Sequence, residues 1–317
     1  MNVLVTGAGG FLGRILCARL ISDRGLAAER IVLVDRSLPP LPEDPRLTAI
    51  VGDVAEPLTP AVARALADAQ VVIHLAAIPG GAAERDYAAS KRVNLEASLE
   101  LLARTAGRDR PVRFVYASTI AVFGEPMPPA IDDSTATRPT MTYGAHKLMV
   151  ETELCDMTRR GQLDGFALRL PGLLARPAGD SGMKSAFMSE LFHACVASRR
   201  FVVPTSREAT VWVMSASRAI DNLLHAAGLP RTPAASVRAF TLPALRVTMG
   251  ELVAAVVRRT GCDQALVSFE RDAALEAQFG RLPPLETRTA DGLGFRHDGD
   301  LDALIVRALG DAGYGAH

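Results

Sequence analysis

The chain has 317 residues, which is enough for one large α/β domain or two closely joined ones. Its 35 basic and 35 acidic side chains balance, so the charge supplies no electrostatic footprint for nucleic acid or an anionic membrane. Because the sequence shows no apolar run of membrane-spanning length, no signal-peptide pattern and no clustered cysteines, we predict a cytoplasmic protein that binds no metal.

Strand and helix patterns alternate through the first half of the chain. Apolar runs typical of strands buried on both faces lie at 3–5, 31–35, 48–53, 71–76, 113–118 and 166–170. Helical periodicity separates these runs, most clearly over about 86–106 and about 143–160. The alternation predicts an α/β fold with a doubly wound parallel sheet of the Rossmann type and right-handed crossovers.

The pattern becomes irregular beyond residue 171. Predicted helices lie near 183–198, 217–227 and 300–309, with two more after Thr248, and short predicted strands lie near 201–203, 211–214 and 239–242. We predict a dinucleotide-binding domain over 1–171. A smaller C-terminal substrate-binding part is expected over 172–204 and 231–298, with 205–230 and the C-terminal helix rejoining the first domain.

Three glycines stand between the first predicted strand and the first helix. Gly7, Gly10 and Gly13 are spaced three apart, with Phe11 and Leu12 at the start of the helix. Glycines here let the chain turn tightly, let the backbone approach a pyrophosphate, and let the helix pack closely on the strand. The helix N-terminus offers free N–H groups to the phosphates. The strand–loop–helix context makes this a dinucleotide-binding signature.

Carboxylates that follow the next strands indicate which dinucleotide is bound. Asp35 ends the second predicted strand, where it could accept both hydroxyls of an adenosine ribose and repel a 2′-phosphate. This favours NAD, whereas the neighbouring Arg36 keeps NADP as an alternative. Asp53 could bind the adenine amino group or cap the following turn. In His74-Leu-Ala-Ala77 the small residues let the backbone lie along the cofactor, and His74 is interpreted as an ordinary strand residue.

Tyr143 and Lys147 begin the predicted helix between the fifth and sixth strands. Residues four apart on a helix share one face, so the phenol and the ammonium point into the same region. A phenol has an ordinary pKa of ~10, and a neighbouring cation lowers that pKa by stabilising the phenolate. The pattern predicts that Tyr143 takes the proton of a substrate alcohol while the substrate carbon gives hydride to a nicotinamide. Lys147 is also expected to reach the nicotinamide ribose.

Two hydroxyls end the fifth predicted strand, at the sheet edge where open α/β folds bind ligands. Ser118 or Thr119 could hydrogen-bond the reacting oxygen and orient it against Tyr143, while the other caps the next turn. Asn94 lies inside a predicted helix although asparagine is a poor helix former. Its side chain either holds a water or a backbone group near Lys147 or faces solvent.

Together these motifs resemble the extended short-chain dehydrogenase/reductase family, which includes nucleotide-sugar epimerases and dehydratases. The matching segments are Thr6-Gly-Ala-Gly-Gly-Phe-Leu-Gly13, Asp35, Asp53, His74-Leu-Ala-Ala77, Asn94, Ser118-Thr-Ile-Ala-Val-Phe-Gly124, Tyr143-x-x-x-Lys147 and Leu170-Pro-Gly172. The resemblance implies that Thr119 takes the place usually held by a catalytic serine, with Ser118 beside it, while Phe123 replaces a tyrosine. Further cofactor contacts implied by the resemblance are Val54, Leu75, Ala76, Ala77, Leu170 and Gly172.

The C-terminal part resembles the D-erythronate dehydrogenase branch of this family. Sugar-nucleotide enzymes usually carry an Arg-Asp-containing segment where this chain reads Thr210-Val-Trp-Val-Met-Ser-Ala-Ser-Arg-Ala219. The resemblance implies NAD-dependent oxidation of the C2 hydroxyl of a small sugar acid to the 2-oxo acid. Because a carboxylate substrate needs cations or N–H donors, the candidate contacts in this region are Lys184, Arg207 and Arg176, together with Trp212.

Two other functions stay open at this point. A nucleotide-sugar epimerase or dehydratase would keep NAD tightly bound and regenerate it. A regulatory protein that senses NAD(P) could use the same fold, although such proteins commonly lack the Tyr–Lys pair. Members of the family commonly pair through their two long helices, so a homodimer is expected. The other expected partner is a small-molecule substrate.

Overall fold

The chain folds into two units, each with its own core. In the computed structural model, residues 1–22, 26–177, 184–231 and 238–314 are described. The first unit consists of Met1–Val122, Pro139–Arg169 and Ile220–Thr241. The second consists of Phe123–Arg138, Leu170–Ala219 and Leu242–His317.

Twelve strands are found among the described residues. They are β1 (Asn2–Thr6), β2 (Arg30–Asp35), β3 (Leu47–Val51), β4 (Val71–His74), β5 (Arg113–Thr119), β6 (Asp164–Leu170), β7 (Gly172–Leu173), β8 (Phe201–Val203), β9 (Thr210–Met214), β10 (Ala239–Thr241), β11 (Leu245–Thr248) and β12 (Val267–Phe269). Seven of them form one sheet in the order β10-β6-β5-β4-β1-β2-β3, and its pairings are parallel. The predicted doubly wound parallel sheet is therefore confirmed.

The strand order defines where a ligand can bind. The chain moves outward from β1 to β3 and then resumes on the other side of β1 with β4, so the order reverses between these two strands. In open α/β sheets, ligands bind beyond the carboxyl ends of the strands at such a reversal. Thr6 ends β1, His74 ends β4 and Thr119 ends β5.

The helices follow the predicted periodicity with one irregularity. They are α1 (Phe11–Ser22), α2 (Pro60–Asp68), α3 (Gly80–Arg85), α4 (Tyr87–Ser90), α5 (Ala97–Thr105), α6 (Thr142–Arg159), α7 (Phe187–Val196), α8 (Ala216–Gly228), α9 (Met249–Thr260), α10 (Ala273–Phe279), α11 (Arg288–Gly292) and α12 (Leu301–Asp311). A π-helical segment, Lys91–Glu96, joins α4 to α5 inside the helix predicted over 86–106. Within the described ranges, no helix has both the length and the apolar character needed to cross a bilayer.

The second unit is built around its own small sheets. Its three-stranded sheet has the order β11-β9-β7, in which β9 is antiparallel to β11 and parallel to β7. A second, two-stranded sheet pairs β8 with β12 in parallel. Apolar side chains from α7, α9 and α12 cover β9 and form one buried cluster with it, including Leu191, Val213, Leu252 and Ile305.

Several parts of the chain lie differently from the prediction. Ala239–Thr241, which we assigned to the substrate-binding part, forms β10 and pairs with β6 at the edge of the main sheet. Helix α12, which was expected to rejoin the first domain, contributes Leu304 and Ile305 to the core of the second unit. Residues 205–219 also belong to the second unit. Backbone hydrogen bonding at the sheet edge explains the first difference, and the apolar face of α12 explains the second.

A buried charge cluster lies at the amino-terminal end of β5 and β6. The guanidinium of Arg113 donates to a carboxylate oxygen of Asp164 at 2.7 and 3.0 Å, and Arg238 donates to the other oxygen at 3.2 Å. Arg113 also donates to the carbonyl oxygens of Ala226 and Leu229, at and just beyond the end of α8. The cluster therefore fixes the end of this helix to the sheet.

We expect Arg113→Met to lower the free energy of unfolding by about 3–5 kcal/mol, because it leaves a buried carboxylate and two buried carbonyls without this donor. Denaturant unfolding measures the change. Arg104→Met on α5 is the control, because its pair with Glu100 is about half exposed and worth only about 0.3–0.5 kcal/mol. Equal losses in both variants would contradict the assigned role of the cluster.

Candidate active site

The glycine loop between β1 and α1 has almost no room for side chains. A Cβ on Gly13 would lie 2.2 Å from the carbonyl oxygen of Gly7, and one on Gly9 would lie 1.9 Å from the carbonyl oxygen of Ser37. Gly7 has a positive φ of 74°, which other residues rarely adopt. A Cβ on Gly10 would meet the Gly7 oxygen at 3.3 Å, a less severe contact. Gly9 is thus as constrained as two of the three glycines singled out from the sequence.

The segment after β4 explains why small residues follow His74. A Cβ on Gly7 would lie 2.5 Å from the backbone nitrogen of Ala76, so the two backbones run in direct contact. Leu75, Ala76 and Ala77 are half-buried there. The glycine loop and this segment together leave backbone rather than side chains facing the start of α1, the geometry that a pyrophosphate requires.

Asp35 is held rigidly at the end of β2. One carboxylate oxygen accepts a hydrogen bond from the backbone N–H of Gly9 at 3.0 Å, and the other accepts from Ser37 at 3.2 Å. Arg36 is exposed, with its Nε 4.0 Å from a carboxylate oxygen of Asp53. Helix α1 carries no acidic residue in its first turn, so no carboxylate of the helix itself caps its free N–H groups. These residues fit a dinucleotide.

Asp53 caps the turn that follows β3, as the second interpretation of the sequence allowed. One of its oxygens accepts from the backbone N–H of Ala55 at 2.9 Å. Val54 between them is buried, so at this position it can offer a cofactor only its backbone groups.

Two further residues of the predicted cofactor set lie at the end of β6 and just after it. Leu170 is buried, and a Cβ on Gly172 would lie 2.9 Å from the carbonyl oxygen of Trp212.

Lys147 lies in the interior of the first unit. Its side chain is 1% exposed, and its ammonium donates to the carbonyl oxygen of Ala117 at 2.8 Å. The ammonium lies 4.5 Å from the ring centre of Tyr116 and 5.7 Å from that of Tyr143. Burial lowers the pKa of Lys147 to about 7, while the carboxylate of Glu151 acts in the opposite direction. The predicted pairing of a phenol with a cation on one helix face is therefore present in the structure.

Helix α6 approaches the end of β5 through a glycine. A Cβ on Gly144 would lie 2.0 Å from the carbonyl oxygen of Ala121. Because this contact is backbone to backbone, only glycine permits it. Gly144 follows Tyr143, and Ala121 lies two residues after Thr119, so the contact brings the start of α6 against the end of β5.

The two hydroxyls at the end of β5 have different surroundings. The Ser118 hydroxyl is buried and donates to a carboxylate oxygen of Glu151. Thr119 is half-buried, and its hydroxyl oxygen accepts from the backbone N–H of Ala121 at 3.1 Å. This leaves the Thr119 proton free to be donated elsewhere, whereas the Ser118 proton is already donated inside the protein.

Asn94 holds a backbone segment rather than facing solvent. Its side-chain oxygen accepts from the N–H of Ile78 at 2.7 Å, and its nitrogen donates to the Ile78 carbonyl at 2.9 Å. The same nitrogen donates to the Ser90 hydroxyl at 3.2 Å, and that hydroxyl lies 3.0 Å from His146 Nδ1. Asn94 sits in the π-helical segment, a departure from α-helix often found at functional sites.

His74 is a buried strand residue, as interpreted from the sequence. Its two ring nitrogens lie 2.5 Å from the Thr6 hydroxyl and 2.9 Å from the Ser98 hydroxyl. Burial, with a smaller effect of the Lys147 charge, lowers the pKa of His74 to about 3. The imidazole is therefore neutral at physiological pH and links the end of β1 to α5.

The candidate substrate residues lie in the second unit and differ in accessibility. Trp212 is fully buried, and its indole N–H donates to the Pro283 carbonyl at 2.8 Å, which argues against the predicted substrate contact. Arg207 is exposed, with its guanidinium 4.3 Å from the ring centre of Phe269. Arg176 is half-buried. Lys184 begins a short 3₁₀ segment, and its side chain lies outside the described residues.

Two charged residues beside the predicted set were missed. Glu151 on α6 and Arg169 on β6 form an ion pair of 2.8 Å next to Ser118. One signal for Glu151 was present in the sequence, since it lies four residues after Lys147 and shares its helix face. The pairing with Arg169 depends on the position of a neighbouring strand and leaves no sequence pattern.

Comparisons with known proteins agree with this geometry. Residues 3–215 match the NAD-dependent epimerase/dehydratase family. A D-erythronate dehydrogenase from Cupriavidus necator is 34% identical over 99% of both chains. Another, from Haemophilus influenzae, is 30% identical over 98% of this chain and 99% of its own. A crystal structure of a nucleoside-diphosphate-sugar epimerase from Agrobacterium tumefaciens matches with a TM-score of 0.88 and 29% identity, covering 99% of this chain and 95% of that one.

The chain therefore belongs to the NAD-dependent epimerase/dehydratase family, and the resemblance to extended short-chain dehydrogenases is confirmed. Membership implies a nicotinamide dinucleotide, NAD or NADP, as cofactor. The glycine loop, the start of α1 and the Asp35 carboxylate are the features of this structure that suit such a molecule.

We expect Gly13→Ala to raise the dissociation constant for NADH at least about tenfold, because the added Cβ would overlap the backbone that faces the pyrophosphate. Fluorescence titration measures binding, and thermal unfolding shows whether the fold survives. Gly310→Ala on α12 is the control, since a Cβ there meets nothing within 4 Å. If both variants bound NADH equally well, the steric argument would be wrong.

Proposed function

We propose that this protein is an NAD-dependent dehydrogenase that oxidises the C2 hydroxyl of a small sugar acid such as D-erythronate to the 2-oxo acid. The substrate class is supported by the two relatives named D-erythronate dehydrogenase, which align over nearly the whole chain. The reaction type is supported by one observation above all, the buried ammonium of Lys147 beside the ring of Tyr143.

Tyr143 serves as the base in this proposal. The Lys147 ammonium stabilises the phenolate through its charge, and burial strengthens that interaction because little water screens it. The phenolate takes the proton of the substrate hydroxyl as the C2 hydrogen leaves with its electron pair. NAD, when bound, supplies the acceptor for that hydride.

Thr119 orients the reacting oxygen. Its hydroxyl oxygen is held by the Ala121 N–H, and its proton remains available for a substrate oxygen. Ser118 is a weaker candidate because its proton is donated to Glu151. We therefore assign the contact with the substrate to Thr119 and a supporting role to Ser118.

The proposed cofactor is NAD rather than NADP. Asp35 is fixed by two backbone N–H groups at the place where the adenosine ribose is expected, and its negative charge would repel a 2′-phosphate. Arg36 is exposed, and its Nε lies 4.0 Å from a carboxylate oxygen of Asp53, so in the structure its guanidinium pairs with that residue. In this proposal the first unit binds the cofactor and the second unit determines which substrate is accepted.

A homodimer stays a prediction from the family.

The test measures NADH formation with a panel of four- to six-carbon aldonates, each offered with NAD and with NADP. We expect turnover of a D-erythronate-like acid, with NAD strongly preferred. Tyr143→Phe should lower kcat/KM by about 10²–10⁴-fold, because it removes only the hydroxyl that acts as the base and keeps the ring. Turnover of a nucleotide sugar with none of the acids would instead favour an epimerase or dehydratase. Activity that survives Tyr143→Phe would exclude the proposed base.

A second measurement separates the two hydroxyls. Thr119→Val keeps the shape of the side chain but removes the donor, and we expect kcat to fall about 10²-fold. Ser118→Ala should cost less than about tenfold, since its proton is used inside the protein. Thr119→Ser is the matched control and should stay close to the unmodified enzyme. A larger loss in Ser118→Ala than in Thr119→Val would reverse the assignment.

A further inference from the structure

A buried carboxylate lies on the same helix as the Tyr–Lys pair. Glu151 is 2% exposed and occurs one helical turn after Lys147 and two turns after Tyr143. Carboxylates are seldom buried unless they are paired. The reaction as proposed above makes no use of this group.

The position of the Glu151 carboxylate is fixed from two strands. From β5, the Ser118 hydroxyl donates to Oε1. From β6, the guanidinium of Arg169 donates to Oε1 at 3.2 Å and to Oε2 at 2.8 and 3.1 Å. Hydrogen bonds from both strands therefore hold the carboxylate in one orientation, and the ion pair with Arg169 strengthens them.

We propose that Glu151 is a positioning residue of the active site, whose fixed negative charge keeps Lys147 in its ammonium form and thereby Tyr143 in its phenolate form. The expected effect of Glu151 on the rate of turnover rests on the proposed dehydrogenase function. The state of Tyr143 can nevertheless be measured without any substrate.

The state of the Tyr–Lys pair depends on where one proton resides. Once the pair has lost a proton, it is either a phenolate with an ammonium or a phenol with a neutral amine, and both forms carry the same number of protons. Helix geometry places Glu151 nearer to Lys147 than to Tyr143. Its charge attracts the ammonium more than it repels the phenolate, so it favours the form that can act as a base.

Burial acts against that form, which is why a fixed charge is needed. It lowers the pKa of Lys147 to about 7, and the Glu151 carboxylate is the group that raises it. The Ala117 carbonyl and the Tyr116 ring also contact the ammonium, but neither carries a charge.

Other titratable or charged groups face these residues, or other side chains of α6, from the neighbouring elements. They are His74 on β4, Tyr116 on β5, Arg169 on β6, Arg238 before β10, Tyr143, His146 and Cys155 on α6, and Glu84, Lys91 and Glu96, which act on His146 from the helical segments before α5. None of these is a second carboxylate acting on Lys147 among the described residues. Glu151 is therefore the position at which a single substitution removes the effect.

The experiment compares Glu151→Gln with Glu153→Gln, which removes an equal charge from an exposed position of α6. The chain has four tyrosines, so the tyrosinate absorption of Tyr143 can be isolated by subtracting the Tyr143→Phe spectrum, with NAD present throughout. We expect Glu151→Gln to lower the tyrosinate signal and the plateau of kcat/KM by up to about tenfold. Glu153→Gln should stay close to the unmodified protein, and the charge-conserving Glu151→Asp should lose less of both signals than Glu151→Gln.

The pH profile distinguishes this effect from simple structural damage. Removing a negative charge makes proton loss from the Tyr–Lys pair as a whole easier, so the rising limb of kcat/KM should move to lower pH while its plateau falls. Damage alone would lower the plateau without that displacement. An unchanged tyrosinate signal in Glu151→Gln would overturn the inference, as would a change equal to that in Glu153→Gln.

Two further outcomes separate the inference from the proposed function. If no acid is turned over but the tyrosinate signal behaves as expected, the function is wrong and the role of Glu151 stands. If the acids are oxidised and Glu151→Gln behaves like Glu153→Gln, the proposed function stands and the role of Glu151 is wrong. Should Glu151→Gln not fold, the double variant Glu151→Gln/Arg169→Gln removes both charges. It must still lower the tyrosinate signal, although the lost positive charge of Arg169 makes the decrease smaller.

Discussion

The interior position of one ammonium group constrains the first unit more than any other feature. A charge placed in an apolar interior loses its hydration, at an effective cost of several kcal/mol. For Lys147 this loss is offset by a carbonyl oxygen and an aromatic face from β5 and by a carboxylate from α6 itself. These compensating groups act only over short distances, so the strand and the helix must lie at a fixed separation. The contact of Gly144 with the backbone of Ala121 allows that separation.

Much of this arrangement could be predicted from the sequence because it depends on local patterns. Buried parallel strands read as continuous apolar runs, and the glycine loop and the Tyr–Lys pair each lie within a few residues of one another. The central sheet and the helix face of Tyr143 and Lys147 follow from these patterns. Local patterns also explain why His74 was correctly interpreted as a buried strand residue.

The features that were missed depend on long-range pairing. Strand β10 has three residues, too few for a periodic signal, and its place is decided by hydrogen bonds to β6, about seventy residues earlier in the chain. Arg169 meets Glu151 across two different elements. Trp212 was expected at a substrate surface because of its segment, yet its indole is used to hold Pro283. In each case the partner is distant in sequence.

The two units are interleaved along the chain, which passes from one to the other five times. Because neither unit is one continuous stretch, the ribosome cannot complete one unit before it begins the other. The main sheet, for example, lacks its edge strand β10 until residue 241 has been synthesised. Folding must wait for contacts between distant segments, a property associated with slow folding. Gene fusion or exchange of one continuous segment cannot replace a whole unit. Replacing a whole unit would therefore require changes in three separate segments of the chain.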